Sequence, residues 1–287
     1  MRGDRSSTWL HPIRRMYQRR SLAALVTRHV DLRGRGLDLG VRVVLVADIH
    51  AREDWLPRPY VAQLVDAINA VEDVQLVAMV GDFTGDDPSA IEGSCEEYAR
   101  IAAPAVATLG NHDHWADARR TTAALQSAGV EVLTNRALPL RDVIAGYARE
   151  HWVVGIDSCW PRRRSGPGAD VAAAMREVPA GAEAIVLGHE PHLATLHEQA
   201  LHLAGHTHCG QVRSPVLGDW TARMHMPKFS EPYPCRLYEL AVDAGSDVPA
   251  HHRTMGDRRW VYTTAGVGFS TVDFRLFCPP EIVVVDT

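Results

Sequence analysis

Five short polar clusters in the chain carry residues able to bind metal ions: Asp48-Ile49-His50, Gly81-Asp82, Gly110-Asn111-His112-Asp113, Gly188-His189 and Gly205-His206-Thr207-His208. From them Asp48, His50, Asp82, Asn111, His189, His206 and His208 offer two carboxylates, four imidazoles and one amide carbonyl. Hard oxygens combined with borderline imidazoles suit manganese, iron or zinc better than calcium or copper(I). Seven groups exceed what one ion takes. With one of them bridging, they match two ions that keep open positions for water, and two ions about 3.5–4 Å apart form a clamp for in-line displacement at phosphorus.

The spacings have physical reasons. An Asp-x-His step at a strand end lets two side chains reach one ion as the chain leaves a sheet. Gly81 relieves crowding where the backbone turns beside Asp82. His206 and His208, two residues apart, point alike along an extended chain. Asn111 gives a neutral oxygen ligand, and the next residue, His112, need not ligate and is free to donate a proton. Any one of these Asp or His residues alone reads as an ordinary turn residue; the weight lies in five clusters, in order, each following an apolar run.

Those runs are the elements that must position the clusters. Val41–Ala47, Gln75–Val80, Ala105–Leu109, Glu183–Leu187 and Leu201–Ala204 are short, apolar and largely β-branched. Tyr60–Val71 and Ala116–Ala128 carry apolar residues at helical spacing. Strands alternating with helices predict a layered α/β fold, with ligands gathered beyond the carboxyl ends of the strands. Trp260–Thr264 and Glu281–Asp286 read as further strands without intervening helices, which predicts a second, partly antiparallel sheet. Residues 212–259 read as a long excursion walling the site, and Arg162–Arg164 with the following Ser-Gly-Pro-Gly as a basic surface loop.

The 287 residues, 46% hydrophobic and 23% charged, have ordinary globular composition, so disorder, collagen and coiled coil are excluded for the chain as a whole. No apolar run approaches the roughly 18 residues of a membrane span. Five cysteines without a CxxC pair argue against a disulfide framework and a zinc ribbon. Residues 1–36 hold nine Arg against two Asp, a net +7 that leaves −12 on the rest of a chain of net −5. We read a basic N-terminal arm, 1–36, ahead of a single domain, 37–287. The arm is either a helix packed on the domain or a contact to an anionic membrane surface through its arginines and Leu22, Leu25 and Val26. The acidic body lacks a basic track, so no nucleic-acid polymer is expected as partner.

Together the five clusters resemble the calcineurin-like metallophosphoesterases over about residues 41–286. Gly205–Gln211, Gly266-Val267-Gly268-Phe269-Ser270 and Pro280-Glu281-Ile282 further resemble a bacterial subgroup that includes membrane-associated phosphodiesterases and a UDP-2,3-diacylglucosamine pyrophosphatase. The resemblance implies a four-layer α/β/β/α sandwich with two mixed sheets. It implies two divalent or trivalent transition-metal ions (Mn, Fe or Zn): Asp48, His50 and His208 on the first, Asn111, His189 and His206 on the second, Asp82 bridging. It makes His112 and Asp113 catalytic, His112 facing the leaving group and Asp113 orienting it by hydrogen bond. The expected activity is hydrolysis of a phosphodiester or pyrophosphate in a phosphate-ester substrate by a metal-bridging hydroxide. Alternatives are a lipid-head pyrophosphatase, a cyclic-nucleotide diesterase and, in another class, a metal-binding scaffold without catalysis. The expected location is cytoplasmic, peripheral at the inner membrane. Cys209 stands where the subgroup commonly has Gly and reads as a packed thiol; Gly85 stands where many members have an acidic residue. His114, His192, His197, His202 and His225 are candidates to extend the site, Arg275 to bind a phosphate oxygen or make a structural ion pair, and Trp55 and Trp115 to flank the substrate.

Overall fold

The computed structural model describes residues 24–52, 58–85, 87–160, 168–214, 216, 231–241, 258–270, 272 and 274–287. Twelve strands are formed among them: β1 (Val26–Asp31), β2 (Arg42–Val46), β3 (Leu76–Val80), β4 (Ala105–Thr108), β5 (Glu131–Val132), β6 (Arg136–Pro139), β7 (Trp152–Ile156), β8 (Ala184–Gly188), β9 (Leu201–Ala204), β10 (Arg236–Ala241), β11 (Arg258–Thr263) and β12 (Glu281–Asp286). They make two six-stranded sheets, in the orders β1-β12-β2-β3-β4-β5 and β10-β11-β9-β8-β7-β6. The centre of each is parallel, β2-β3-β4 in one and β7-β8-β9-β11 in the other. The antiparallel pairings are β12 on β2, and the edge strands β10 and β6. Both sheets are therefore mixed, as expected.

Strand parity explains the layering. Successive side chains of a strand point to opposite faces, and here both faces are apolar. Val43 and Leu45 of β2, Leu76 and Ala78 of β3 and Val283 and Val285 of β12 meet Ile185 and Leu187 of β8, Leu201 and Leu203 of β9 and Trp260 and Tyr262 of β11 in one core between the sheets. The alternate residues of the first sheet, Val44, Val46, Val77, Met79, Ile282 and Val284, pack outward against helices α1 (Arg58–Asn69), α2 (Ile91–Tyr98) and α4 (Ala118–Ser127). The short α3 (Asn111–Ala116) precedes α4, and α5 (Leu140–Val143) follows β6. Val154, Ile156 and Val186 of the second sheet pack on Ala174 and Met175 of α6 (Val171–Met175). The order is helix, sheet, sheet, helix: the four-layer sandwich. Helix α1 shows the sequence logic plainly, burying Tyr60, Val61, Leu64, Val65 and Ile68 along one stripe.

Seven of the strands (β2, β3, β4, β8, β9, β11 and β12) and α1 fall within a few residues of the sequence reading. The apolar run at 116–128 is split, since Asp117 leaves helical geometry and caps α4 by accepting from Arg120 N. Strands β1, β5, β6, β7 and β10 and helices α2, α3, α5 and α6 were not read. Leu25 packs against the outer core and Val26–Asp31 is the edge strand beside β12, so the first sheet begins inside the stretch assigned to the arm. Residues 1–23, the loop at 162–164, Trp55 and His225 lie outside the described residues. Among the described residues, no helix is long and apolar enough to cross a membrane.

One buried carboxylate stitches the sheets together beneath the site. Glu281, at the start of β12 and fully buried, accepts from Arg28 Nε of β1 (3.0 Å), Thr264 Oγ1 (3.1 Å), Ala265 N (3.0 Å) and Arg236 of β10. Removing the acceptor strands two half-buried guanidinium groups and two buried donors. Glu281→Ala is expected to lose about 3 kcal/mol or more of stability, and Glu281→Gln a smaller amount, as read by urea denaturation.

Candidate metal centre

The carboxyl ends of β2, β3, β4, β8 and β9 converge where the two sheets face each other. Each delivers its cluster there: Asp48 and His50 after β2, Asp82 after β3, Asn111 after β4, His189 after β8, His206 and His208 after β9. All seven are buried. Their ligand atoms interleave. His50 Nε2 lies 3.1 Å from His208 Nε2, and His208 Nε2 lies 3.5 Å from Asp48 Oδ1. His206 Nδ1 lies 3.0 Å from Asn111 Oδ1. Asp82 Oδ2 sits between the two groups, 3.5 Å from His50 Nε2 and 3.1 Å from His189 Nε2. Three groups hold ligand atoms within 4.8 Å of one another: Asp48, His50 and His208; His50, Asp82 and His112; Asp82, His189 and His206.

Convergence of this kind demands sharp turns. Asp48 (φ 53°), His50 (φ 47°), Asp82 (φ 55°), His206 (φ 69°) and His208 (φ 50°) all lie in the left-handed region, unusual for residues with a Cβ. Such strain persists only where the surroundings over-determine it. Here the surroundings include Asp113, whose carboxylate accepts from the backbone N–H groups of Asp82 (2.8 Å), Phe83 (2.9 Å), Thr84 (3.1 Å) and Gly110 (2.9 Å). Asp48 likewise accepts from His206 N at 3.0 Å. Close approach is allowed by glycine: a Cβ on Gly81 would stand 2.5 Å from His189 Nδ1, one on Gly205 2.6 Å from Asp48 Oδ2, and one on Gly266 2.6 Å from Asp48 Cβ.

The electrostatics suit cation binding. Burial lowers the pKa of His50 and His206 to about 3 and that of His208 well below the ordinary value, so these imidazoles present lone pairs. Burial pushes Asp48 up to about 7. Burial works against the charges on Asp82 and His189, but their mutual attraction outweighs it, lowering Asp82 and raising His189 well away from their usual values. His189 Nδ1 donates to Val80 O at 2.9 Å, which leaves Nε2 to face the centre, the outer hydrogen bond common behind metal-binding imidazoles. A site of two carboxylates, four imidazoles and an amide oxygen, in glycine cradles, fits transition-metal ions of the manganese, iron and zinc kind.

His112 stands at the edge, half-buried. Its N–H donates to Asp82 Oδ1 at 2.8 Å, and its ring lies 4.7 Å from that of His50 and 4.6 Å from that of Trp115. The role expected for Asp113 needs correction. Instead of holding the His112 ring, its two oxygens are taken by the backbone of 82–84 and 110, because the turn leaves those amides without strand partners. Arg275 does not reach outward to a phosphate. It is buried behind His208, its Nη2 3.2 Å from Nδ1 and 2.7 Å from Gly268 O. His114 pairs with Asp157 at 2.6 Å, and His197 with His202 at 2.9 Å, away from the ligand set. Trp115 donates to Trp160 O at 2.9 Å beside His112.

Cys209 is also corrected: it is bonded to Cys235 rather than a packed thiol. Cys209 has φ 50°, beside His208 in the ligand loop, and the bond ties that loop to residues 231–235. A bond spanning 26 residues with no motif around it leaves no signal in one sequence. Disulfides persist in oxidising compartments, which counts against the cytoplasmic expectation.

Residues 41–210 match the family model of the calcineurin-like phosphoesterases. The chain belongs to that family. Among curated proteins it is 28% identical to phosphodiesterase YaeI of Escherichia coli over 255 residues, covering 85% of this chain and 81% of that one. It is 27% identical to a zebrafish transmembrane protein with a metallophosphoesterase domain, covering 85% of this chain and 52%, about half, of that protein's length. A solved 5′-nucleotidase precursor from Thermus thermophilus aligns with 79% of this chain and 49% of its own at 17% identity and a TM-score of 0.48.

Asp113→Ala should leave four buried N–H groups without their acceptor, at about 1–3 kcal/mol each where water cannot replace it. The expected outcome is a loss of at least about 3 kcal/mol in urea denaturation together with reduced metal content. Asp113→Asn should fall between this variant and the parent, since one oxygen still accepts.

Proposed function

We propose that the chain is a dinuclear metal-dependent phosphoesterase acting on a phosphodiester or pyrophosphate. The observation that carries this reading is the place of Asp82 Oδ2, within 3.5 Å of His50 Nε2 on one side and 3.1 Å of His189 Nε2 on the other. One carboxylate shared by two imidazole groups is what a pair of adjacent ions requires. We assign Asp48, His50 and His208 to one ion, Asn111, His189 and His206 to the other, and Asp82 to both. Ions bound there supply a water of lowered pKa as nucleophile and neutralise phosphate oxygens.

The remaining chemistry belongs to the chain. His112 is half-buried, fixed at its backbone by Asp82 and packed at its ring against His50 and Trp115. There it hands a proton to the departing oxygen. Trp115, held by Trp160, forms the wall on that side. Asp113 and Arg275 are positioning residues: the first sets the turns that aim Asp82 and Asn111, the second backs His208. The phosphodiesterase name of the Escherichia coli relative supports a diester over a monoester.

The test is a hydrolysis panel with the manganese-loaded protein, comparing nitrophenyl and alkyl diesters, a monoester, a cyclic nucleotide and UDP-2,3-diacylglucosamine. His112→Ala should keep its metal content and lose about 10²–10⁴-fold on the alkyl diester, whose leaving group needs protonation. The loss on the nitrophenyl diester should be much smaller. Equal losses on both would remove His112 as the acid, and no hydrolysis of any substrate by the metal-loaded parent would remove the enzyme reading.

A further inference from the structure

A second cluster of ligating side chains lies beyond the dinuclear set. Cys159, in the loop after β7, places its Sγ 3.1 Å from His192 Nε2 and 3.7 Å from Glu190 Oε2. The thiol–imidazole separation equals that between His50 and His208 in the main centre. Glu190 is fully buried, and its other oxygen accepts from Ser158 Oγ. Behind His192 lies Glu231, whose side chain is almost wholly buried. It accepts from His192 N (2.9 Å) through one oxygen and faces Nδ1 (2.8 Å) with the other. A carboxylate only accepts, so Nδ1 carries a proton and Nε2 is the nitrogen turned to the sulfur; the hydrogen bond to Glu231 raises the pKa of the ring, and a metal ion would take Nε2 in place of a proton. Carboxylate, imidazole and inner ligand in line is the arrangement that orients metal-binding histidines.

We infer that Cys159, His192 and Glu190 form a third metal site, separate from the dinuclear centre, for a borderline-soft divalent cation of the zinc class, with Glu231 as its outer carboxylate. Thiolate, imidazole and carboxylate together select zinc over the harder ions. The trio is looser than the groups of the main centre, whose ligand atoms lie within 4.8 Å of one another, so binding draws Glu190 inward from Ser158. On binding, the Cys159 S–H bond breaks, the proton leaves to solvent and a sulfur–metal bond forms.

A nucleophilic role for the same thiol fits less well. Burial, with the Glu190 carboxylate beside it, pushes the Cys159 thiol up, away from free thiolate. A bound cation reverses that penalty by neutralising the two anionic ligands. Access is open, since the His192 side chain is 31% exposed. The Glu231 segment is itself held, by Thr207 Oγ1 on Pro234 O (2.6 Å) and by the Cys209–Cys235 bond. A metal here would pin the 157–160 loop, and with it the Trp160 carbonyl that holds Trp115 beside His112.

Cobalt(II) reads this site selectively, because the proposed dinuclear set contains no sulfur. Titration of the full chain with cobalt, without reductant, should give a near-ultraviolet thiolate-to-cobalt charge-transfer band. The band should vanish in Cys159→Ser and in His192→Ala, persist in Cys278→Ser, and persist in Asp82→Ala, which leaves Cys159, His192 and Glu190 in place. Glu231→Gln should weaken cobalt binding about 10–100-fold. No band in the parent, or a band that survives Cys159→Ser, would overturn the proposal. Neither result bears on the dinuclear reading, which the diester panel tests independently.

Discussion

The structure depends on the acceptance of four backbone N–H groups by the buried carboxylate of Asp113. Ligands from two facing sheets meet only if the chain turns abruptly as it leaves β2, β3 and β9. Those turns put five ligand residues at positive φ. Strain of this kind costs about 1–3 kcal/mol per residue and frees amides that a strand would have paired. Asp113 supplies their acceptor after β3 and β4, and Asp48 does the same for His206 after β9. The turn and the ligand are therefore a single device: the geometry that strains Asp82 is also what aims its carboxylate between His50 and His189.

Burial then sets the chemistry. A dry site keeps His50, His206 and His208 neutral and makes the negative charge of Asp82 costly until a cation answers it. Without a bound ion His189 serves as that answer, which is why the two are driven in opposite directions. The same logic extends outward. Glu281 anchors β12 below the site, Arg275 backs His208, and the Cys209–Cys235 bond fastens the loop that carries His206 and His208.

Much of this was legible because the ligand clusters punctuate the sequence. A short β-branched run ending in Gly-Asp or Gly-His marks a strand and its chemistry at once, which is why β2, β3, β4, β8 and β9 were found with their ligands. The strands missed lack that signature. β5 is two residues long, β6 ends in a proline, and β1 carries two charged residues and a histidine. The layer order was implied by family resemblance and is explained by strand parity: β2 and β3 are apolar on both faces and so must be covered twice. Asp113 was misjudged because three of its four partners are backbone amides 29–31 residues away along the chain, and a backbone donor has no residue type to read. The Cys159–His192–Glu231 alignment was hidden likewise, since its members lie more than 30 residues apart.

Metal content of the Asp82→Ala variant is the most direct test of the shared-carboxylate account. Elemental analysis of the purified parent and variant, loaded side by side with manganese, should show a fall of about two ions per chain, since a bridging ligand serves both. A fall of one ion, or none, would contradict the bridging assignment and with it the dinuclear centre as drawn here.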